Sequence, residues 1–210
     1  MGAWNGAVCV ASRTMLITGR TVWHARDMGK TILNAAREAN RLWPQRMAKA
    51  GYETYMTGKW HVSTDAAKCF DFSASIRGGM PRDESIAYKR PLAGKPDPWS
   101  PSDTTLRGFW DGGKHWSEVV GDESITFLKQ AEKSEKPFFM YLAFNAPHDP
   151  RQSPKEYVDR YPLDRIKVPE NYLPEHPQKD LIGCDPELRD EKLAPFPRDE
   201  HAVKVHRQEY

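Results

Sequence analysis

Phe138-Phe-Met-Tyr-Leu-Ala-Phe144 is a continuous apolar run of strand length, introduced by Pro137 and closed by Asn145-Ala-Pro-His148-Asp-Pro150. An uninterrupted apolar strand suits a position buried on both faces, as in a parallel sheet covered by helices. Such a sheet needs helices and further strands, and the rest of the chain supplies them. Ser117 to Lys133 reads as an amphipathic helix with Val120, Ile125, Leu128 and Ala131 on or near one face. Tyr52 to Thr57, rich in β-branched and aromatic residues, reads as a second strand that Gly58 ends. Pro44 and Gly51 bracket Gln45 to Ala50 in the Pro-first, Gly-last pattern of a short helix, within a mainly helical stretch from Thr31 interrupted at Pro44. The class is therefore α/β, a mostly parallel sheet flanked by helices, with long irregular loops.

Chemistry-bearing residues cluster where these strands end. Lys59 and His61 follow the second strand and, two apart in extended chain, point to the same side. His148 follows the apolar run. Both places lie at strand C-termini, where open α/β sheets bind ligands. Near the start stands Cys9-Val-Ala-Ser-Arg13-Thr-Met-Leu-Ile-Thr18-Gly-Arg20. If Cys9 opens a helix, Arg13 lies beside it on the same face, because residues four apart are neighbours. The free N–H groups of the first turn then favour negative charge close to the cysteine.

Composition excludes several classes. Among 210 residues, Lys plus Arg is 31 and Asp plus Glu 29, so a net charge of +2 gives no bulk field selecting nucleic acid or an anionic membrane. No apolar run approaches a membrane span, and no signal peptide opens the chain. Cys9, Cys69 and Cys184 are far apart and fit no zinc spacing. From Cys69 to Gly113 glycines and prolines punctuate a long loop with little room for regular structure. Trp99 and Trp110 in that loop, and Trp116 just after it, are available to stack on a sugar, although ordinary packing is the better reading for at least two of them. Ser153-Pro-Lys-Glu156 has the form of a capping box starting a short helix that ends near Tyr161. Leu163 to Arg198 reads as an irregular excursion, and Asp199 to Tyr210 as the beginning of a helix.

Three motifs, in order, resemble those of the type I sulfatases. The segment Cys9 to Arg20 is similar to the family signature Cys-x-Pro/Ala-Ser-Arg ending in Thr-Gly-Arg, with Ala11 where proline is commonest. Gly51-Tyr and Gly58-Lys59-Trp-His61 resemble the second signature, and Phe138-Phe-Met-Tyr141 with Pro147-His148-Asp-Pro150 resembles the third. The resemblance implies a partial alkaline-phosphatase/sulfatase-like fold over residues 1–210, a middle section of one catalytic domain without the N-terminal metal-site strand and the C-terminal part. It implies a sulfuric ester hydrolase cleaving a sulfate monoester on a carbohydrate or other small molecule. The nucleophile would be formylglycine, made from Cys9 by a maturation enzyme. Arg13 would stabilise the nucleophile's oxygen and His61 would act as base. Lys59 and His148 would hold the sulfate, His148 also protonating the leaving alkoxide. One calcium ion is implied, with modified Cys9 as the single ligand carried by this chain, and a periplasmic or secreted location. A phosphomonoester or phosphodiester hydrolase of the same superfamily, and a non-catalytic remnant, stay open as alternatives.

Overall fold

The computed structural model describes residues 8–25, 27–81, 85–183 and 192–210. In chain order these form α1 (Cys9–Thr18), α2 (Val22–Ala25), α3 (Lys30–Glu38), α4 (Trp43–Lys49), β1 (Glu53–Lys59), β2 (Phe72–Arg77), α5 (Trp116–Ala131), β3 (Phe138–Ala143), α6 (Lys155–Val158), α7 (Lys179–Ile182) and α8 (Glu200–Glu209). Cys184 lies outside the described residues. The chain divides into two units, one of residues 1–80 and 116–145, the other of residues 81–115 and 146–210.

In the first unit the three strands form one sheet in the order β2-β1-β3, and both pairings are parallel. Strand β1 is central because its side chains serve two cores in alternation. Met56 joins Ile17, Leu33, Leu42, Trp60 and Phe70 on one face, while Tyr55 joins Phe127 and Ala131 of α5 on the other. Tyr55 and Met56 are fully buried, each worth roughly 2 kcal/mol of apolar burial. Helices on both faces of a parallel sheet are the expected α/β layering.

Several expectations need correction. Gly58 does not end β1, which runs on to Lys59. At φ 92° it lies inside the strand, and a Cβ there would meet the Ala143 carbonyl oxygen at 2.0 Å. Glycine is present because β3 approaches too closely for a side chain. The loop after Cys69 contains a strand, β2, paired to β1 with one extra β2 residue accommodated between Met56 and Gly58. Its alternation is masked by two serines, of which Ser75 is hydrogen-bonded to Glu123 and Ser73 is exposed. Strand β3 is an edge of the described sheet, so Phe138 is 50% exposed and the run is only partly covered.

Helix α5 buries Trp116, Val120, Ser124, Phe127 and Ala131, whereas Ile125 and Leu128 face outward. The small Ser124 fits the seam because its hydroxyl donates to the Val120 carbonyl at 2.5 Å. Glu123 ties this helix to the sheet: the Thr57 hydroxyl donates to its carboxylate, as does Ser75 Oγ at 2.6 Å.

The second unit is mostly irregular and is held by polar groups. Gln152 accepts from the Phe109 N–H at 2.6 Å and donates to the Arg107 carbonyl at 2.9 Å. Arg90, buried, pairs with Asp97 and Glu209 at 2.5 and 2.6 Å, tying α8 to the loop before Asp97. Asp199 caps α8 through the Ala202 N–H. Ser153 does not cap α6, which starts after Pro154 and is only four residues long. Trp99, Trp110 and Trp116 are all buried, so none of them offers a free stacking face.

Candidate active site

Helix α1 begins at Cys9, after an extended Val8 that supplies no side-chain cap. The first-turn N–H groups therefore have no intrahelical partner and face the cysteine end of the helix. At the other end the Thr-Gly-Arg part of the motif stops the helix. Gly19 takes the left-handed conformation at φ 68° and donates to the Met15 carbonyl, and Thr18 Oγ1 donates to the Thr14 carbonyl at 2.6 Å. Thr14 and Ile17 face the core. That orientation fixes where Cys9 and Arg13 point.

Arg13 Nη1 donates to the Lys59 carbonyl at 2.6 Å and to the Tyr141 hydroxyl at 2.8 Å. One guanidinium thus joins α1 to the C-terminal ends of β1 and β3. Cys9 Sγ lies 3.2 Å from His61 Nδ1, across 52 residues of sequence. Cys9, Arg13, Lys59 and His61, picked from two separate motifs, are brought together at the strand C-termini. Lys59 is only 3% exposed, and its carbonyl is the group that meets Arg13.

His61 is not reached by extended-chain alternation. Its φ of 51° is left-handed, so the chain turns between Lys59 and the imidazole. A non-glycine residue held there costs of order 1 kcal/mol or more and marks a constrained position. Turning is what directs the ring back to Cys9.

Tyr141 is the site residue that motif reading quoted without a role. Burial pushes its phenol up, against the pull of Arg13. The signal was available: a tyrosine at the C-terminal end of an apolar strand must find a partner for its hydroxyl. Nothing in the sequence identifies Arg13 as that partner, 128 positions away.

His148 lies in the second unit, where its Nδ1 sits 2.7 Å from Asp149 Oδ1. The Tyr88 hydroxyl donates to Asp149 Oδ2 at 2.6 Å. This carboxylate, 8% exposed, orients the imidazole by its Nδ1 and leaves Nε2 for other chemistry.

Among the described residues no group of three or more His, Cys, Asp or Glu side chains is arranged to hold a metal ion. Calcium requires several oxygen ligands, and the residues around Cys9 offer an imidazole and a guanidinium instead. The described residues alone therefore do not make up a calcium site, and the motif resemblance assigns this chain only the modified Cys9 among the ligands. No described helix is long and apolar enough to cross a membrane.

The family profile described as Sulfatase matches residues 3–192. An uncharacterized sulfatase of Schizosaccharomyces pombe is 28% identical over 190 residues, covering 75% of this chain and 32% of the relative. The arylsulfatase of Klebsiella aerogenes is 28% identical over 186 residues, covering 75% and 37%. The N-acetylglucosamine-6-O-sulfatase of Bacteroides thetaiotaomicron is 31% identical over 111 residues, covering 50% and 16%. The chain spans about a third of the length of the first two relatives.

Proposed function

Because the chain belongs to the sulfatase family, we propose that the protein hydrolyses a sulfate monoester to an alcohol and inorganic sulfate, with Cys9 as the position of the nucleophile. The observation that carries this reading is the meeting of Cys9, His61 and Arg13 at the strand ends. Formylglycine, made from Cys9 by a maturation enzyme, supplies when present a hydrated aldehyde whose oxygen is matched to sulfur where a soft thiol is not.

The chain's own residues have definable tasks. His61 Nδ1 stands 3.2 Å from Cys9 Sγ, within reach of a proton on an oxygen occupying that place. Arg13, held by two hydrogen bonds, brings fixed positive charge one helical turn from the nucleophile. Lys59 supplies a second cation to the sulfate oxygens. His148, oriented through Nδ1 by Asp149, is the donor to the leaving oxygen through Nε2.

A sulfated carbohydrate is the substrate class we favour, since one relative is named for a sulfated sugar. Secretion or export to the periplasm is part of the same proposal and is carried by the family membership alone. The decisive experiment uses the full-length protein co-produced with a formylglycine maturation enzyme. Its turnover of 4-nitrophenyl sulfate and 4-nitrophenyl phosphate is compared with that of Cys9→Ala, and mass spectrometry reads the state of Cys9. Sulfate turnover that disappears in the variant is expected. Equal rates for wild type and variant reject the reading, and preference for the phosphate ester moves it to phosphoryl chemistry.

A further inference from the structure

We propose that Gly79 is a positioning residue for His61, setting the imidazole at its distance from the nucleophile position; this rests on the reading of His61 as the base. A Cβ built on Gly79 would lie 2.2 Å from His61 Cε1, 2.4 Å from Nδ1 and 2.8 Å from Nε2. Three atoms of the ring therefore pack directly onto the Gly79 backbone, closer than any side chain permits. Gly79 is buried and is not among the glycines of positive φ. What requires glycine here is space for the ring, not a conformation reserved to glycine.

The ring has a second close neighbour. Cys9 Sγ stands 3.2 Å from Nδ1, and the left-handed backbone of His61 fixes the direction from which the ring arrives. The Gly78–Gly79 segment is itself held from β3. Asn145 Nδ2 donates long hydrogen bonds to the Gly78 and Gly79 carbonyls at 3.4 and 3.5 Å. Asn145 is 5% exposed, and its Oδ1 is buried without a hydrogen-bond partner among the described residues. The chain of contacts thus runs from the end of β3 through the glycine segment to the imidazole and on to Cys9.

An alanine methyl at Gly79 needs about 3.5 Å to a ring carbon, so the ring withdraws by about 1 Å. A misplacement of that size costs about 100-fold in rate. Gly78 provides the control, because a Cβ there has nothing within 4 Å.

The test compares Gly79→Ala and Gly78→Ala in the full-length, matured protein with 4-nitrophenyl sulfate. In parallel, the His61 Cε1–H resonance is followed against pH in protein whose Cys9 is unmodified. The expected result is a loss of about 100-fold in kcat for Gly79→Ala at little-changed KM, with a moved His61 resonance and titration midpoint. Gly78→Ala should show neither change. Wild-type kcat with an unmoved resonance in Gly79→Ala overturns the proposal. If unsubstituted protein does not turn over the sulfate ester, the sulfatase reading fails on its own. The resonance comparison then decides the positioning: movement in Gly79→Ala alone upholds it, and movement in both or neither rejects it. Should Gly79→Ala not fold, cross-relaxation between the Gly79 α protons and the His61 ε1 proton in unsubstituted protein decides, its presence supporting the packing and its absence overturning it.

Discussion

Two thiols in opposite surroundings divide reactive from inert chemistry at the scale of the residue. Cys69 is buried and donates to the Asp65 carbonyl at 3.2 Å, and burial pushes its thiol up to about 12. Cys9 is half-buried at a helix start beside an imidazole. Iodoacetamide at pH 8 should therefore alkylate Cys9 in unmatured native protein and leave Cys69 untouched, as peptide mass spectrometry will read; labelling of Cys69 first would contradict this burial. Tyr141 gives a second test. Tyr141→Phe removes one hydrogen bond to a charged guanidinium while keeping the ring, a change of about 1.5–3 kcal/mol in the interaction. It should lower kcat by roughly 10- to 100-fold and the melting temperature by several degrees; an unaltered kcat would release Arg13 from dependence on this contact. Of these residues, Cys9, Arg13, Lys59, His61 and His148 were legible in the motifs with a role, whereas Tyr141 was a motif position without one and Gly79 was not legible. Their tasks exist only in contact with partners distant in sequence.

Among the elements, β1 shows why strand boundaries escape a reading of local pattern. Glycine in a run of strand formers signals an end, yet here it opens room for the Ala143 carbonyl of β3. Gly58→Ala should cost about 3 kcal/mol or more, through backbone strain at φ 92° and the clash together, and urea unfolding of the purified chain will measure it. A cost under 1 kcal/mol would mean the strands separate at little expense. Glu123 makes the companion case on α5. It accepts from Thr57 and Ser75, so Glu123→Ala leaves polar groups on two strands without their acceptor. A loss of about 2–3 kcal/mol is expected in the same assay. The amphipathic pattern located α5 correctly but chose Ile125 and Leu128 as inward residues. The buried stripe is instead Trp116, Val120, Ser124, Phe127 and Ala131, and Ile125 and Leu128 lie off it. Strand β2 was hidden for a related reason: Ser75 is used for hydrogen bonding and Ser73 is exposed, so the two contribute no apolar stripe.

At the scale of the whole molecule, the two units are stabilised by different physics. The first rests on apolar layers around a parallel sheet, and the second on buried polar groups around Arg90 and Gln152. His206 of the second unit makes this pH-sensitive. Its Nδ1 accepts from Arg151 at 2.8 Å and its Nε2 donates to the Arg90 carbonyl at 2.7 Å. The Glu209 carboxylate, 3.8 Å from Nδ1, is committed to Arg90. Burial first, and then the Arg151 charge, push the imidazole down to about 4. The unfolded state, near 6.5, binds the proton more readily. Stability from this group is complete above about pH 6.5 and is lost as pH falls towards 4, by up to roughly 3 kcal/mol. Urea unfolding from pH 7.5 to 4 should show this fall, and His206→Gln should flatten it; identical slopes would remove the histidine from the account.

The sequence by itself determined the α/β class, the strands β1 and β3 near whose ends the candidate residues stand, and membership in the sulfatase family. These properties are local, written in apolar runs, cap positions and fixed motif spacings, and local interactions need no knowledge of partners. Only the tertiary structure decided that Arg13 meets Tyr141, that a buried glycine seats the His61 ring, that Gly58 lies inside a strand, and that the tryptophans are packing residues. Each of these depends on which atoms approach from elsewhere in the chain, 128 residues away for Arg13 and Tyr141, and there close packing, not periodicity, selects the side chain.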